Sequence, residues 1–157
     1  MKIYFWSVGK AHESYLKEGI EMFTKRSSRY YPAGWKIFPP AKFAISATEE
    51  EIKKAEAVPV LGFLQKEDIL IALDELGNQW TSPELAAFIQ QKANQSAKNL
   101  IFLVGGAYGL DKSILNRCQA KWSLSKLVFP HQLVRLILAE QVYRACTIIR
   151  NEKYHHT

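Results

Sequence analysis

Short apolar runs alternate with stretches of helical periodicity along the whole chain, and this alternation restricts the fold more than any other feature. Residues 3–8 are rich in aromatic and β-branched side chains and read as a strand, closed by Gly9-Lys10. Residues 12–31 follow with Leu16, Ile20 and Phe23 at helical spacing, and Pro32 and Gly34 end that helix. Residues 35–38 form a short strand before Pro39-Pro40. Residues 41–67 are the least patterned; residues 49–54 read as an exposed helix opening, and Pro59 is expected to kink or interrupt it.

Residues 69–73 are almost entirely apolar, as in the middle of a parallel sheet, and residues 74–77 are expected to turn the chain away. Ser82 followed by Pro83 marks a helix start, with the helix running to about residue 98. Residues 100–104 form another buried strand. Asp111 is placed to cap a helix reaching toward Gln119. Residues 122–129 hold one more strand or extended segment, and Pro130 opens the last helix. Strand and helix alternate throughout, which predicts a single α/β domain over residues 1–157, with a mostly parallel sheet and helices on both faces.

The hydrophobic fraction of 48% supports a real core. The stretch from Leu133 to Ile149 is apolar on most of its surface, but it contains Arg135, Glu140, Gln141 and Arg144. A membrane span would carry a heavy cost for those groups. The segment therefore reads as a protein-buried helix, and one domain this small predicts a homodimer to cover it. The N-terminus lacks a signal-peptide pattern. Cys118 and Cys146 fit neither a CxxC pair nor a zinc ribbon, and they suit a reducing cytoplasm as core or near-core side chains of helices. The four histidines give no recognised metal-ligand spacing apart from the tail pair, so no metal is expected.

Two neighbouring segments carry the chemistry. Gly105-Gly106-Ala107-Tyr108-Gly109 follows a strand, where ligand loops sit in α/β folds. It is neither a dinucleotide fingerprint nor a phosphate-binding loop, so it is a ligand cradle or simply a tight turn. Residues 124–129 alternate small or polar with apolar side chains, then end at Pro130-His131. Exposed main-chain groups there suit an adenine edge and the leucines an apolar pocket; the other reading is an edge strand with a loop. Net charge is +6 and the pI about 9.3, which favours a polyanionic partner without identifying it.

The blocks Leu73-Asp74, Gly105-Gly106-x-x-Gly109, Trp122-Ser123-Leu124-Ser125, Pro130-His131-x-Leu133-Val134-Arg135, Tyr143-Arg144-Ala145 and Tyr154-His155 together resemble one family. It is that of the SPOUT-class methyltransferases acting on N3 of a pseudouridine in large-subunit ribosomal RNA. The likeness spans essentially the whole chain. It implies a C-terminal trefoil knot, against the general rule that chains do not thread loops. It also implies S-adenosylmethionine as cofactor, an antiparallel or near-perpendicular homodimer, and ribosomal RNA, in the assembled ribosome, as partner. The family's cofactor positions fall on Leu73, Gly105 and residues 124–129. With the other turn glycines, the expected set is Leu73, Gly105, Gly106, Gly109, Leu124, Ser125, Lys126, Leu127, Val128 and Phe129.

The chain departs from the family pattern at Gln132, where many relatives have proline, and at His156, where an arginine often stands. Ala107-Tyr108 replaces a proline-glutamate pair of some relatives, leaving no carboxylate base in the turn.

Loss of the N3 proton needs a base or a cationic surround. The candidates for chemistry are His131, Arg135, Arg144, Tyr154 and His155. His131 is a proton acceptor or a structural histidine. Arg144 is an active-site or RNA contact, or it pairs with Glu140 one turn away. Tyr154 and His155 are expected on a mobile tail that stacks on RNA or stays disordered. Arg135, Lys10, Lys17, Arg26 and His156 are the candidate RNA contacts, with Lys25 and Arg29 beside them on a basic face that is otherwise merely solvated. The rivals to methyl transfer are a non-catalytic RNA-binding module, a hydrolase using His131 with Ser123 or Ser125, and, weaker, a metal enzyme.

Overall fold

The computed structural model describes residues 1–156. Its elements alternate throughout: β1 (Lys2–Val8), α1 (Ser14–Ser27), β2 (Ala33–Phe38), α2 (Glu49–Phe63), β3 (Ile69–Gln79), α3 (Ser82–Asn94), β4 (Asn99–Val104), α4 (Lys112–Arg117), β5 (Ala120–Ser123) and α5 (His131–Ile149). The strands form one sheet in the order β2-β1-β4-β3-β5, and every neighbouring pair is parallel.

Strand periodicity sends alternate side chains to two separate cores. Ile3, Phe5, Ile71, Leu100 and Phe102 face the helices α3 and α5. Trp6, Val8, Leu70, Ile101 and Leu103 face α2 and α4. Helix α1 lies on the α5 side, where Gly19 lets the two helices approach; a Cβ there would stand 2.9 Å from Leu136 Cδ1. The β1-to-β2 and β3-to-β4 connections step one way along the sheet through helices on the α5 face. The β2-to-β3 and β4-to-β5 connections step the other way through helices on the opposite face. All four thus share one hand, as parallel crossovers require.

Several local expectations change. Helix α2 runs through Pro59 to Phe63 instead of breaking there; its start is fixed by a capping box between Thr48 and Glu51. Residues 74–77 do not end β3. They are a register irregularity, since both Leu73 and Asn78 pair with Trp122, and the strand resumes to Gln79. Gly77 allows this, because a Cβ there would meet the Lys121 carbonyl carbon at 2.6 Å.

Thr81, not Ser82, caps α3, again through a capping box with Glu84. Helices α1, α3 and α4 stop short of their expected ends, and α1 also starts two residues later than expected. Residues 124–130 form a loop, not a strand. Cys118 is half-buried just beyond α4, while Cys146 is buried within α5. Among the described residues, no helix is long and apolar enough to cross a membrane.

Candidate functional site

At the carboxyl ends of β4 and β5, beside the irregular middle of β3, the sheet opens into a cleft of about 610 Å³. Nine of the expected cofactor positions line it: Leu73, Gly105, Gly106, Gly109, Leu124, Ser125, Leu127, Val128 and Phe129. Lys126 does not; its side chain is exposed and lies outside the lining.

The glycine turn is built by its own backbone. Gly109 sits at φ +86 and donates its N–H to the Gly106 carbonyl at 3.1 Å. Gly105 is favoured by crowding, since a Cβ there would meet Gly109 and Leu110 at 3.0 Å. Across the cleft, the 124–129 loop is pinned by Ser123 Oγ donating to the Ser125 carbonyl at 2.9 Å. Leu127 N donates to Ser125 Oγ at 3.0 Å. Ser123 is thus committed to loop structure, while the Ser125 hydroxyl accepts there and keeps its own proton free at the cleft. Trp122 also lines the cleft and stacks on Trp80, and its buried Nε1 has no hydrogen-bond partner.

His131, the first residue of α5, stands on the cleft wall. Burial pushes its pKa below the ordinary value, the Arg135 guanidinium adds to that, and the Ala107 backbone opposes it. Of the candidates for chemistry, His131 alone lines the cleft of its own chain.

Arg135 is not on the surface. It is 1% exposed, and its assignment as an RNA contact is corrected on that ground. Its Nε donates to Ser7 Oγ at 2.9 Å, and one terminal nitrogen donates to the Lys10 carbonyl at 2.8 Å and lies 3.2 Å from His12 Nδ1. No carboxylate pairs with it among the described residues. His12 is held below its ordinary pKa by burial and then by Arg135, so its ring meets the guanidinium as a neutral acceptor.

Arg144 pairs with Glu140, Nε to Oε1 at 3.0 Å, the alternative left open by the sequence. The tail folds back onto this pair instead of hanging free. Tyr154 donates its hydroxyl to Glu140 Oε1 at 3.1 Å and packs edge-on against Tyr143 at 4.7 Å; the Arg144 guanidinium lies over its ring. Tyr30 anchors the same tail through Glu152 at 2.6 Å. His155 is half-buried, and its Nδ1 is buried without a partner; His156 is exposed.

On the proposed basic face, Lys10 is exposed and Lys17 pairs with Glu21 at 3.8 Å, while Arg26 packs over Phe23 and Tyr143. Lys25 and Arg29 are exposed.

The sequence reading missed Glu56. This glutamate is 8% exposed on α2, in a stripe with Ile52 and Val60, and its carboxyl group touches Gly106. An acid at an apolar stripe position was the available signal. The cleft-lining pair Glu49 and Lys53, on the first turns of α2, left no such signal.

Comparison with known proteins agrees with this geometry. The family profile described as a predicted SPOUT methyltransferase matches residues 1–155. "Ribosomal RNA large subunit methyltransferase H" of Cytophaga hutchinsonii is 46% identical over 156 residues, covering 99% of this chain and 100% of that protein. The protein of the same name from Geobacter metallireducens is 40% identical, with 100% of both chains covered. The fold matches that of a probable methylase family protein from Haemophilus influenzae at a TM-score of 0.56, with 13% identity, over 99% of this chain and 70% of that one. A putative methylase family protein from Neisseria gonorrhoeae matches at 0.52, with 15% identity, over 90% and 81%. With its profile matched almost end to end and close relatives spanning the full length, the chain belongs to the SPOUT methyltransferase family.

Proposed function

We propose that this protein transfers the methyl group of S-adenosylmethionine to N3 of a pseudouridine in 23S ribosomal RNA, acting in the cytoplasm on the assembled ribosome as a homodimer. The observation that carries the reading is the cleft walled by the glycine turn and the 124–129 loop with His131 on its wall. The names of the full-length relatives support the ribosomal target.

The cleft suits the cofactor. Its volume lies within the range of about 300–1,000 Å³ usual for small-ligand sites. Leu73, Leu124 and Leu127 offer an apolar seat, and the bare backbone at Gly105 and Gly106 permits close approach. Once bound, the cofactor supplies a methyl group made electrophilic by its sulfonium. The protein's own task is to exclude water, align the base and take the N3 proton. His131 serves as acceptor: with its pKa lowered it is neutral at physiological pH, and Arg135 behind it favours the neutral ring.

Arg144, Tyr154 and His155 belong to the same proposal, but on the other subunit. His131 and Arg144 stand thirteen positions apart on the helix, about 20 Å along the axis. One substrate base cannot touch both within one chain. In a dimer paired through α5, the Arg144-Tyr154 cluster of one copy completes the cleft of the other. Lys10, Lys17, Arg26 and His156 would contact RNA phosphates around it. The trefoil knot is part of this reading. The chain leaves the edge strand β5 and returns to α5, which packs against both α1 and α3.

Methylation of free RNA, separated large subunits and whole ribosomes is the test. Methyl transfer to whole ribosomes, mapped to N3 of a pseudouridine, is expected; transfer to naked transfer RNA alone would overturn the target.

A further inference from the structure

Glu56 stands on the buried face of α2, one turn from Ile52 and one from Val60. Its Oε2 is buried and has no hydrogen-bond partner, and no cation pairs with it among the described residues. A Cβ added at Gly106 would lie 2.6 Å from Oε2 and 3.0 Å from Oε1, so the carboxyl group fills the space that a side chain at 106 would take. Gly106 itself lines the cleft. A single residue of backbone therefore separates this acid from the ligand space.

An uncompensated core acid is costly, and an apolar side chain in that stripe would fold more favourably. Burial is the sole cause raising its pKa; Lys53, one turn before it on α2, lines the cleft and makes no ion pair with it. The position makes physical sense if positive charge arrives in the cleft.

We propose that Glu56 is a positioning residue that supports the glycine turn beneath Gly106 and supplies the negative charge that favours a sulfonium ligand over its uncharged thioether product. The inference rests on the cofactor reading above and deepens it. S-adenosylmethionine carries a positive sulfur, and S-adenosylhomocysteine, left after methyl transfer, does not. A carboxylate at this place holds the first and releases the second. It acts through the turn and the field, and takes no part in the proton transfer.

Calorimetric titration of wild type and Glu56→Gln with each ligand tests this. The variant is expected to bind S-adenosylmethionine about tenfold more weakly, with S-adenosylhomocysteine affinity within about twofold of wild type. Its ligand-free melting temperature should not fall, because a neutral amide replaces a buried acid. A purely structural role would weaken both ligands alike. Equal loss for both, or loss for neither, overturns the proposal while leaving the cofactor reading standing; wild type binding neither ligand overturns both.

Should Glu56→Gln fail to fold, the unaltered protein still decides. Scanned upward from pH 4.5, through the range into which burial raises this acid, binding of S-adenosylmethionine should drive a proton off it and give a buffer-dependent heat, and S-adenosylhomocysteine should not. The same proton release for both ligands, or none for either, overturns the proposal.

Discussion

The buried guanidinium of Arg135 and the cleft-facing ring of His131 form one electrostatic unit. Burial disfavours a proton on His131, and the cation acts in the same direction. A base with a lowered pKa stays unprotonated to a lower pH, so the acid limb of kcat/KM should fall below the ordinary histidine value of 6.5. Arg135→Gln should move that limb upward, because the repelling charge is gone. Arg135→Lys should leave it nearly in place. A pH-rate profile of the three proteins, each checked for folding by circular dichroism, measures this. An acid limb unchanged in Arg135→Gln would remove the coupling. His131→Gln should cut kcat by about 10²–10⁴ while leaving cofactor affinity within about twofold.

The same pair has a stability consequence. A histidine whose folded pKa lies below its unfolded value binds fewer protons when folded. Stability therefore falls as pH drops from 6.5 toward the folded pKa, and His12 and His131 both contribute with that sign. Wild type should lose melting temperature across this window. His12→Gln should flatten part of the loss, read by melting at a series of pH values.

Among the elements, α2 shows how an apparently dispensable stretch holds the site. Its first residues bring Glu49 and Lys53 to the cleft, and the end of its second turn brings Glu56 under Gly106. The Thr48-Glu51 capping box fixes where that helix starts. Thr48→Ala should cost about 1 kcal/mol of stability and weaken cofactor binding. The equivalent change in α3, Thr81→Ala, should cost about the same stability and leave cofactor affinity unchanged, since α3 lines no part of the cleft. Chemical denaturation with ligand titration separates the two; equal effects on binding would place α2's start outside the site's support.

Legibility followed from how local each element's cause is. The strands were readable because sheet burial on both faces leaves runs such as Ile101-Phe102-Leu103 with few alternatives. The glycine turn was readable because Gly109 requires a positive φ. The return of β3 after Leu73 was not, because it depends on Gly77 passing against Lys121 of a strand distant in sequence. The interior place of Arg135 was equally hidden. An arginine on an apolar helix names a charge to be satisfied, but Ser7 and the Lys10 carbonyl, which satisfy much of it, lie far upstream.

On the scale of the whole molecule, the spread of functional side chains along α5 implies an assembly. His131 opens that helix beside one cleft, and Arg144, Tyr154 and Glu140 cluster toward its far end, away from the cleft of the same chain. If two copies share each site, His131→Gln and Arg144→Ala should each be inactive alone yet complement when mixed. Random exchange at equal amounts makes about half the dimers mixed, and each mixed dimer holds one intact site of two. The mixture should therefore recover about a quarter of wild-type methyl transfer per chain. Native mass spectrometry of the mixture establishes that exchange has taken place. Confirmed mixed dimers with no recovered activity would confine each site to one chain, and Arg144 would then be a structural partner of Glu140 alone.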